Sequence, residues 1–466
     1  MDLGRDLPYK YLIFGTLAGV VPLYFGLPHL LIAFILIESI RIAYNSELTK
    51  ALIFYLILSF LIPLDFLTLS TGNKLGLIFN EHFFAGLPLY LTLPVIVFNK
   101  GFVSEYTATQ KVILVSTIII LFITNIIPGF LSYLGVGGYT IRLIYLFNFI
   151  NALIVFYLTV KLKVSIKFVK VFSNYFICLG FIAAVLGIIQ YLFKIPIIPN
   201  IAYTDFNRLN TINMDNAVDS CPYLFVPFFF ALTRLFHSRE KSTKIRIITL
   251  VLFVSVILTF SRGALVTIFL IFALTLWNNR ERLIKNAFLL LFGLVILSPI
   301  AIVVGQNAMR TDVQGQRLSS YDNLNVRVYL WGLGLTAIYD RPFGYGFGNS
   351  VDAMFNKDSE FRFLETNSVN DYRTFQRQSV HQFFIDYMMS LGVAFGIILL
   401  LIFKIIYTQS KRLISSTSSE IRCFFQSINL ITIGLFFFYL QNVGSQLFLL
   451  FFFLGCIRKK YRFKNC

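Results

Sequence analysis

Residues 327–348 read RVYLWGLGLTAIYDRPFGYGFG, and they lie in a polar segment that runs from Gly305 to Gln382. The rest of the chain is almost all apolar: 57% of the 466 residues are hydrophobic and only 13% are charged. Soluble globular domains carry about 25% charged residues, so this is the composition of a membrane protein. We therefore predict an all-α polytopic integral membrane protein in which the polar segment lies outside the membrane.

The apolar runs predict about 14 transmembrane helices, because runs able to cross roughly 30 Å of hydrocarbon recur along the chain. No short apolar segment with a small-residue cleavage site opens the sequence, so the first helix is expected to be retained. The predicted spans are 11–26, 29–45, 51–70, 84–99, 112–128, 141–160, 172–193, 220–236, 247–260, 264–278, 287–304, 383–403, 423–438 and 443–457.

Loop charge predicts the orientation of these helices. If the amino terminus is cytoplasmic, about two-thirds of the 40 Lys and Arg residues fall on the cytoplasmic side, as the positive-inside rule requires. Both termini are then cytoplasmic, and the segment from Gly305 to Gln382 is one large extracytoplasmic loop. The net charge of +18 reflects this topology, so no nucleic-acid partner is expected.

This topology divides the chain into four regions. The second of them contains a shorter outer loop at 194–219 and a hairpin whose tip carries Arg262. The regions are the amino-terminal helices at 1–193, a second set of helices at 194–304, the large periplasmic loop at 305–382 and the carboxy-terminal helices at 383–466.

The large loop is expected to contain a surface helix. Asp322 or Asn323 can cap a helix that continues to about Asp340. Arg327 and Trp331 are four residues apart and share one face of it. We expect this helix to lie along the membrane surface with its apolar side buried. The glycines of the following PFGYGFG sequence allow the backbone to approach a ligand or another segment closely.

Three ionisable residues at the edges of spans are candidates for function. The guanidinium of Arg262 is costly at membrane depth unless it meets an anion or water, although an interfacial Arg can also reach lipid phosphates. His381 directly follows the large loop and could accept a proton near pH 7, or simply donate to a carbonyl. Asp386 would point away from His381 on a continuous helix, which favours a supporting role. Gly392 and Gly396 predict close packing of two helices.

The outer side shows no metal-ligand cluster, no Ser-His-Asp spacing and no Walker-type loop, so neither a metal nor a cofactor is expected. The candidate functional groups that remain are several arginines, one histidine and aromatic residues. Arginine binds phosphate in a bidentate manner. A reaction that uses only these groups needs a donor with a built-in leaving group, and a lipid diphosphate fits.

Four motifs follow one another along the chain: SRGA at 261–264, R-x-x-x-W at 327–331, PFGYGFG at 342–348, and His381-Gln382 followed by Gly392. Together they resemble the O-antigen ligase/O-antigen polymerase superfamily. The segment from Asn207 to Ala217 is more loosely similar, and the resemblance covers about 205–396. The family's histidine segment often has a second glycine three residues after the first, where this chain has Phe395.

The resemblance implies transfer of a glycan from undecaprenyl diphosphate to an acceptor hydroxyl, without a metal and with inversion at the anomeric carbon. Arg262 and Arg327 would hold the diphosphate and stabilise the charge of the leaving group. His381 would orient or deprotonate the acceptor. Further substrate-binding candidates are Arg208, Arg341, Trp331 and Asp386.

Two acceptors are compatible with these motifs. A polymerase would extend another lipid-linked repeat unit, whereas a ligase would use a lipid A-core sugar, or a protein in some relatives. The length and the number of predicted spans favour a polymerase of the inner membrane, acting on the periplasmic face and with a chain-length regulator as a further possible partner. A lipid-linked glycan flippase is a third alternative, but it would be expected to place ionisable residues along a pathway at mid-membrane.

Overall fold

The structure, a computed structural model, describes residues 28–61, 81–100, 107–128, 143–162, 165–194, 208–211, 217–237, 243–261, 263–268, 270–271, 322–347, 349, 382–416, 419–440 and 447–457. Most of these residues are helical, and none of them is in a β-strand. This confirms the predicted all-α class for the described part of the chain.

The helices follow the predicted apolar runs. A π-helix, Phe122–Ile126, continues α4, and residues 263–268 are also helical. The α-helices are α1 (Pro28–Tyr44), α2 (Leu48–Leu61), α3 (Glu81–Lys100), α4 (Ala108–Leu121), α5 (Leu143–Lys161), α6 (Ile166–Phe193), α7 (Ala217–His237), α8 (Thr243–Leu258), α9 (Asp322–Asp340), α10 (Phe383–Leu391), α11 (Val393–Ser416), α12 (Ser419–Tyr439) and α13 (Leu447–Cys456).

The predicted spans at 11–26 and 287–304 lie outside the described residues, and each of the others overlaps a helix. Several helices are long and apolar enough to cross a membrane, which supports an integral membrane protein. The number of crossings, the orientation, the four regions and the extent of the outer loop stay predictions. The candidate spans among the described residues are Ala108–Ile126, Ile166–Phe193, Val393–Ile414 and Glu420–Tyr439.

Aromatic side chains join four helices in the core. Phe176 of α6 stacks on Phe230 of α7, with ring centroids 5.3 Å apart. Phe230 packs against Phe424 of α12, and Phe176 makes a T-shaped ring contact with Phe452 of α13. Helices in lipid gain little from hydrophobic transfer and associate mainly through van der Waals packing. Ring contacts of this kind contribute about 0.5–1.5 kcal/mol beyond area burial.

Beyond its first turn, α4 with its π-helix presents an exposed face that is apolar. Val112, Val115, Ile119, Phe122 and Ile126 are all exposed, at intervals of three or four residues that form one helical face. Such a face would be unfavourable in water and suits contact with acyl chains. The opposite face of the helix carries its buried polar residues.

Gln110 connects the beginning of α4 to the end of α13. It forms a capping box with Thr107, and its Nε2 donates to the carbonyl oxygens of Leu454 and Ile457, both at 2.9 Å. The last carbonyls of a helix have no partner within the helix. The buried amide of Gln110 therefore satisfies carbonyls that the surrounding apolar residues could not.

We expect Gln110→Ala to destabilise the protein by about 1–3 kcal/mol, because buried carbonyls lose their donor. The melting temperature of the purified protein in detergent should fall measurably. Lys111→Ala, which changes an exposed neighbour, is the matched control and should leave the melting temperature unchanged. Equal melting temperatures for both variants would contradict this role of Gln110.

Candidate active site

Helix α9 confirms the predicted helix from Asp322 to Asp340. One side of it packs on α10 in a small apolar cluster, separate from the main core. Trp331 and Met388 are partly buried at the edge of this cluster. The helix carrying Arg327 is therefore in direct contact with the helix that begins two residues after His381. The buried residues of the cluster are Leu330, Leu333, Ala337, Ile338, Ile385 and Met389.

After α9, the PFGYGFG loop docks on a break between α10 and α11. The backbone N–H of Tyr345 donates to Met389 O at 2.7 Å, and that of Gly346 donates to Ser390 O at 2.8 Å. In return, Val393 N donates to Pro342 O at 2.9 Å. The loop thus supplies hydrogen-bond partners to the last carbonyls of α10 and to the first N–H of α11. These backbone groups have no partner within their own helix.

Gly344 and Gly392 make this contact possible. Both have positive φ angles, +88° and +87°, which residues with a side chain rarely adopt. A Cβ on Gly344 would lie 2.6 Å from the nitrogen of Gly392, and one on Gly392 would lie 2.8 Å from Pro342 O. Glycine is therefore needed at both positions, for backbone conformation and for space.

The break at Gly392 corrects two predictions. The span predicted at 383–403 is two helices, since Gly392 ends α10 and does not continue it. Gly392 contacts the backbone of the loop, not a second helix through a G-x-x-x-G face; Gly396 instead faces the side chain of Met388. A lone glycine in an apolar run is compatible with an unbroken helix, so the sequence could not show the break.

The beginning of α10 corrects the relation between His381 and Asp386. Gln382 is the N-cap, and its Oε1 accepts from Ile385 N at 2.6 Å. His381 thus precedes the helix, so helical spacing does not determine its direction relative to Asp386, which is partly buried on α10.

Arg208 lies beside the turn of the SRGA motif. Its Nε donates to Thr259 O at 2.8 Å, and Leu209 N donates to Leu258 O at 2.9 Å. Both acceptors are at the end of α8, directly before the SRGA motif. The structure therefore places Arg208 beside the residues that lead into this motif.

The first turn of α7 links this region to α10. Asp219 and Arg208 both interact electrostatically with the thiol of Cys221, which lies 3.6 Å from Thr259 Oγ1. Phe225 of α7 packs edge-on against Phe438 of α12, with ring centroids 5.4 Å apart, next to Tyr439. Tyr439 in turn stacks on Phe383 of α10, with ring centroids 4.3 Å apart. The SRGA turn and the segment that follows His381 are thus connected through α7 and α12.

Residues 247–403 match the family model described as O-antigen ligase. This match supports the O-antigen ligase/O-antigen polymerase superfamily for this part of the chain. The O-antigen ligase domain includes α8, the SRGA turn, α9, the docked loop and α10, and it ends within α11. It confirms the resemblance seen in the motifs and supports a glycan-handling function of this type. No curated protein matches the chain.

Two of the predicted catalytic residues of the O-antigen ligase domain, Arg262 and His381, lie outside the described residues. Arg327 is within α9, one turn before Trp331, but its side chain is not described. The Nε1 of Trp331 is buried and has no hydrogen-bond partner among the described residues. The Arg341 guanidinium lies over the ring of Tyr345, 5.5 Å from its centroid.

Sequence reasoning missed three residues at the edge of the O-antigen ligase domain. Asp219 and Tyr439 belong to no motif, although an acidic residue at the beginning of an apolar run is itself a signal. Asn125 lies in the π-helix of the amino-terminal half, and its Oδ1 accepts from Phe347 N at 2.7 Å. The signal for Asn125 was an amide within a predicted span.

We expect Gly392→Ala to lower the stability of the O-antigen ligase domain by at least about 1 kcal/mol, because of the positive φ angle and the blocked space. Gly344→Ala should behave in the same way. Thermal unfolding of the purified protein measures the effect.

Gly332→Ala is the matched control, because a Cβ at this helical position would meet nothing within 4 Å. That change should be neutral or stabilising, since alanine favours a helix over glycine. A Gly392→Ala variant as stable as Gly332→Ala would show that the docked loop does not require glycine.

Proposed function

We propose that the protein is a glycan polymerase of the inner membrane that joins undecaprenyl-diphosphate-linked repeat units on the periplasmic face. The reaction would be a metal-independent transfer with inversion at the anomeric carbon. The observation that carries the proposal is the docked loop of the O-antigen ligase domain, which places α9, with Arg327, against α10, which begins just after His381.

The contact between α9 and α10 supports a division of roles. Arg327 would bind the diphosphate of the donor from α9, and His381 would orient or deprotonate the acceptor hydroxyl at the entry to α10. Groups on two packed helices can hold donor and acceptor at a defined separation, which is how positioning lowers a barrier.

The position of Arg208 supports a second cationic group at the same site. Arg208 is bonded to Thr259 at the end of α8, directly before the SRGA motif to which Arg262 belongs in sequence. Guanidinium groups from both arginines would suit the charge of a diphosphate, because each can donate two parallel hydrogen bonds to phosphate oxygens. Arg262 would stabilise the leaving diphosphate, and Arg208 would assist.

The depth of the docked loop suits a lipid donor. Val393, the first residue of a candidate span, bonds to Pro342, so the loop lies at the end of that span. Nearby, Tyr339 is 87% exposed and Phe343 is 79% exposed, and aromatic side chains favour the membrane–water interface. A polyprenyl diphosphate has its chain in the bilayer and its phosphates at the membrane–water interface. Trp331, Arg341 and Asp386 would help to line the site that binds these phosphates.

A ligase is the second candidate function, because the matching family model is described as O-antigen ligase. The donor and the arginine and histidine roles would be the same, and only the acceptor would change to a lipid A-core sugar. The number of predicted spans favours the polymerase. A lipid-linked glycan flippase is the least supported alternative, since the recognised domain is of the transferase type.

We expect Arg327→Ala and His381→Ala each to lower glycan transfer at least about 100-fold, because each removes a group that acts on the transition state. Complementation of a deletion strain, with protein amounts checked by immunoblot, measures the loss. Arg246→Ala and His29→Ala change exposed residues of the same types and should complement fully. Full-length glycan from the Arg327→Ala or His381→Ala strain would refute the assigned roles.

Deletion of the gene should identify the acceptor. A polymerase deletion is expected to leave lipopolysaccharide core with one repeat unit, because single units can still be ligated. A ligase deletion would instead leave long polymer on undecaprenyl diphosphate. Gel analysis of lipopolysaccharide and of the lipid-linked pool separates these results, and unchanged glycans in both pools would refute the proposed function.

A further inference from the structure

Asn125 holds the docked loop from a helix outside the O-antigen ligase match. Its side chain is buried, and its Oδ1 accepts from the backbone N–H of Phe347 at 2.7 Å. The nitrogen of the same amide is also held, because Nδ2 donates to Thr124 Oγ1 at 2.8 Å. That hydroxyl donates to Ile120 O, also at 2.8 Å.

The π-helix explains how this bond is built into an apolar span. Thr124 and Asn125 are consecutive, yet both are buried, while Phe122, Ile123 and Ile126 remain exposed. Single π-turns within α-helices occur frequently at functional sites. A polar residue at membrane depth is costly unless it has a role or a partner, and here the partner is the backbone of the docked loop.

Phe347 also packs between the two halves of the chain. Its ring lies 5.7 Å from that of Phe149 in α5 and 6.5 Å from that of Tyr387 in α10, centroid to centroid. Phe395 of α11 contacts the same two rings. The end of the PFGYGFG loop is therefore fixed by amino-terminal helices, while its beginning is fixed by the break at Gly392.

We infer that Asn125 is a positioning residue for glycosyl transfer, acting through the backbone of Phe347. This inference rests on the proposed function. Phe347 lies between two glycines, which restrict the backbone least, so the bond from Asn125 adds to the ring contacts in defining the position of the loop. A shift of the loop would move the end of α9 relative to α10, and small misplacements of reacting groups strongly reduce rates.

The kinetic test uses the full-length protein in nanodiscs with a lipid-linked glycan donor. Asn125→Ala should lower kcat roughly 10- to 100-fold, while KM for the donor should change less than about threefold, because donor-binding groups remain. Asn125→Asp keeps an oxygen at the accepting position and should recover part of kcat.

Thr117→Val is the matched control for these variants. Thr117 is buried in the same helix, and its Oγ1 has no hydrogen-bond partner among the described residues. Its kcat should equal that of the original protein. A folded Asn125→Ala protein with unchanged kcat, or a Thr117→Val protein with an equal loss, would overturn the inference.

Hydrogen exchange separates this inference from the proposed function. The amide of Phe347 should be protected in the original protein and in Thr117→Val, and it should exchange faster in Asn125→Ala. Should Asn125→Ala not accumulate, Thr124→Val removes the partner of Nδ2 and should accelerate exchange to a smaller degree.

Two outcomes remain distinct. If exchange responds as expected but the original protein transfers no glycan from the donor, the proposed function fails and the inference that Asn125 acts in catalysis falls with it, leaving only a structural bond. If the original protein is active but neither exchange nor kcat responds to Asn125→Ala, the role of Asn125 is wrong while the proposed function stands.

Discussion

A helix that breaks at the end of a membrane span leaves backbone N–H and C=O groups without partners, and the apolar surroundings cannot supply them. In this protein the break is at Gly392, and the backbone of the PFGYGFG loop satisfies the carbonyls of Met389 and Ser390 and the N–H of Val393. The remainder of the candidate site depends on this exchange of backbone bonds, because it determines where α9 lies against α10.

The same constraint explains the composition of the motif. Each close approach of two backbones excludes a Cβ, so the loop and the break each provide a glycine with a positive φ angle, Gly344 and Gly392. A motif of this kind is recognisable in sequence because it is rich in glycine. Its counterpart, Gly392, lies within an apolar run, where a glycine by itself does not indicate that a helix breaks.

The amino-terminal helices contribute more than a membrane anchor. The O-antigen ligase match begins at residue 247, but the loop inside it is bonded to Asn125 and packed on Phe149. Likewise, Arg208 reaches the SRGA turn from a segment before the match. Side chains from outside the recognised domain therefore complete its geometry.

The sequence by itself determined the all-α class, the positions of most helices, the α9 helix and the resemblance to the family, because hydrophobic length and short motifs are local properties. It also named Arg208 and Arg327 as candidates. Only the tertiary structure decided that Gly392 breaks a helix, that the loop docks there, and that Asn125 bonds to the loop. Those contacts join residues far apart in the chain, often through backbone atoms that are the same in every residue, so no local pattern encodes them.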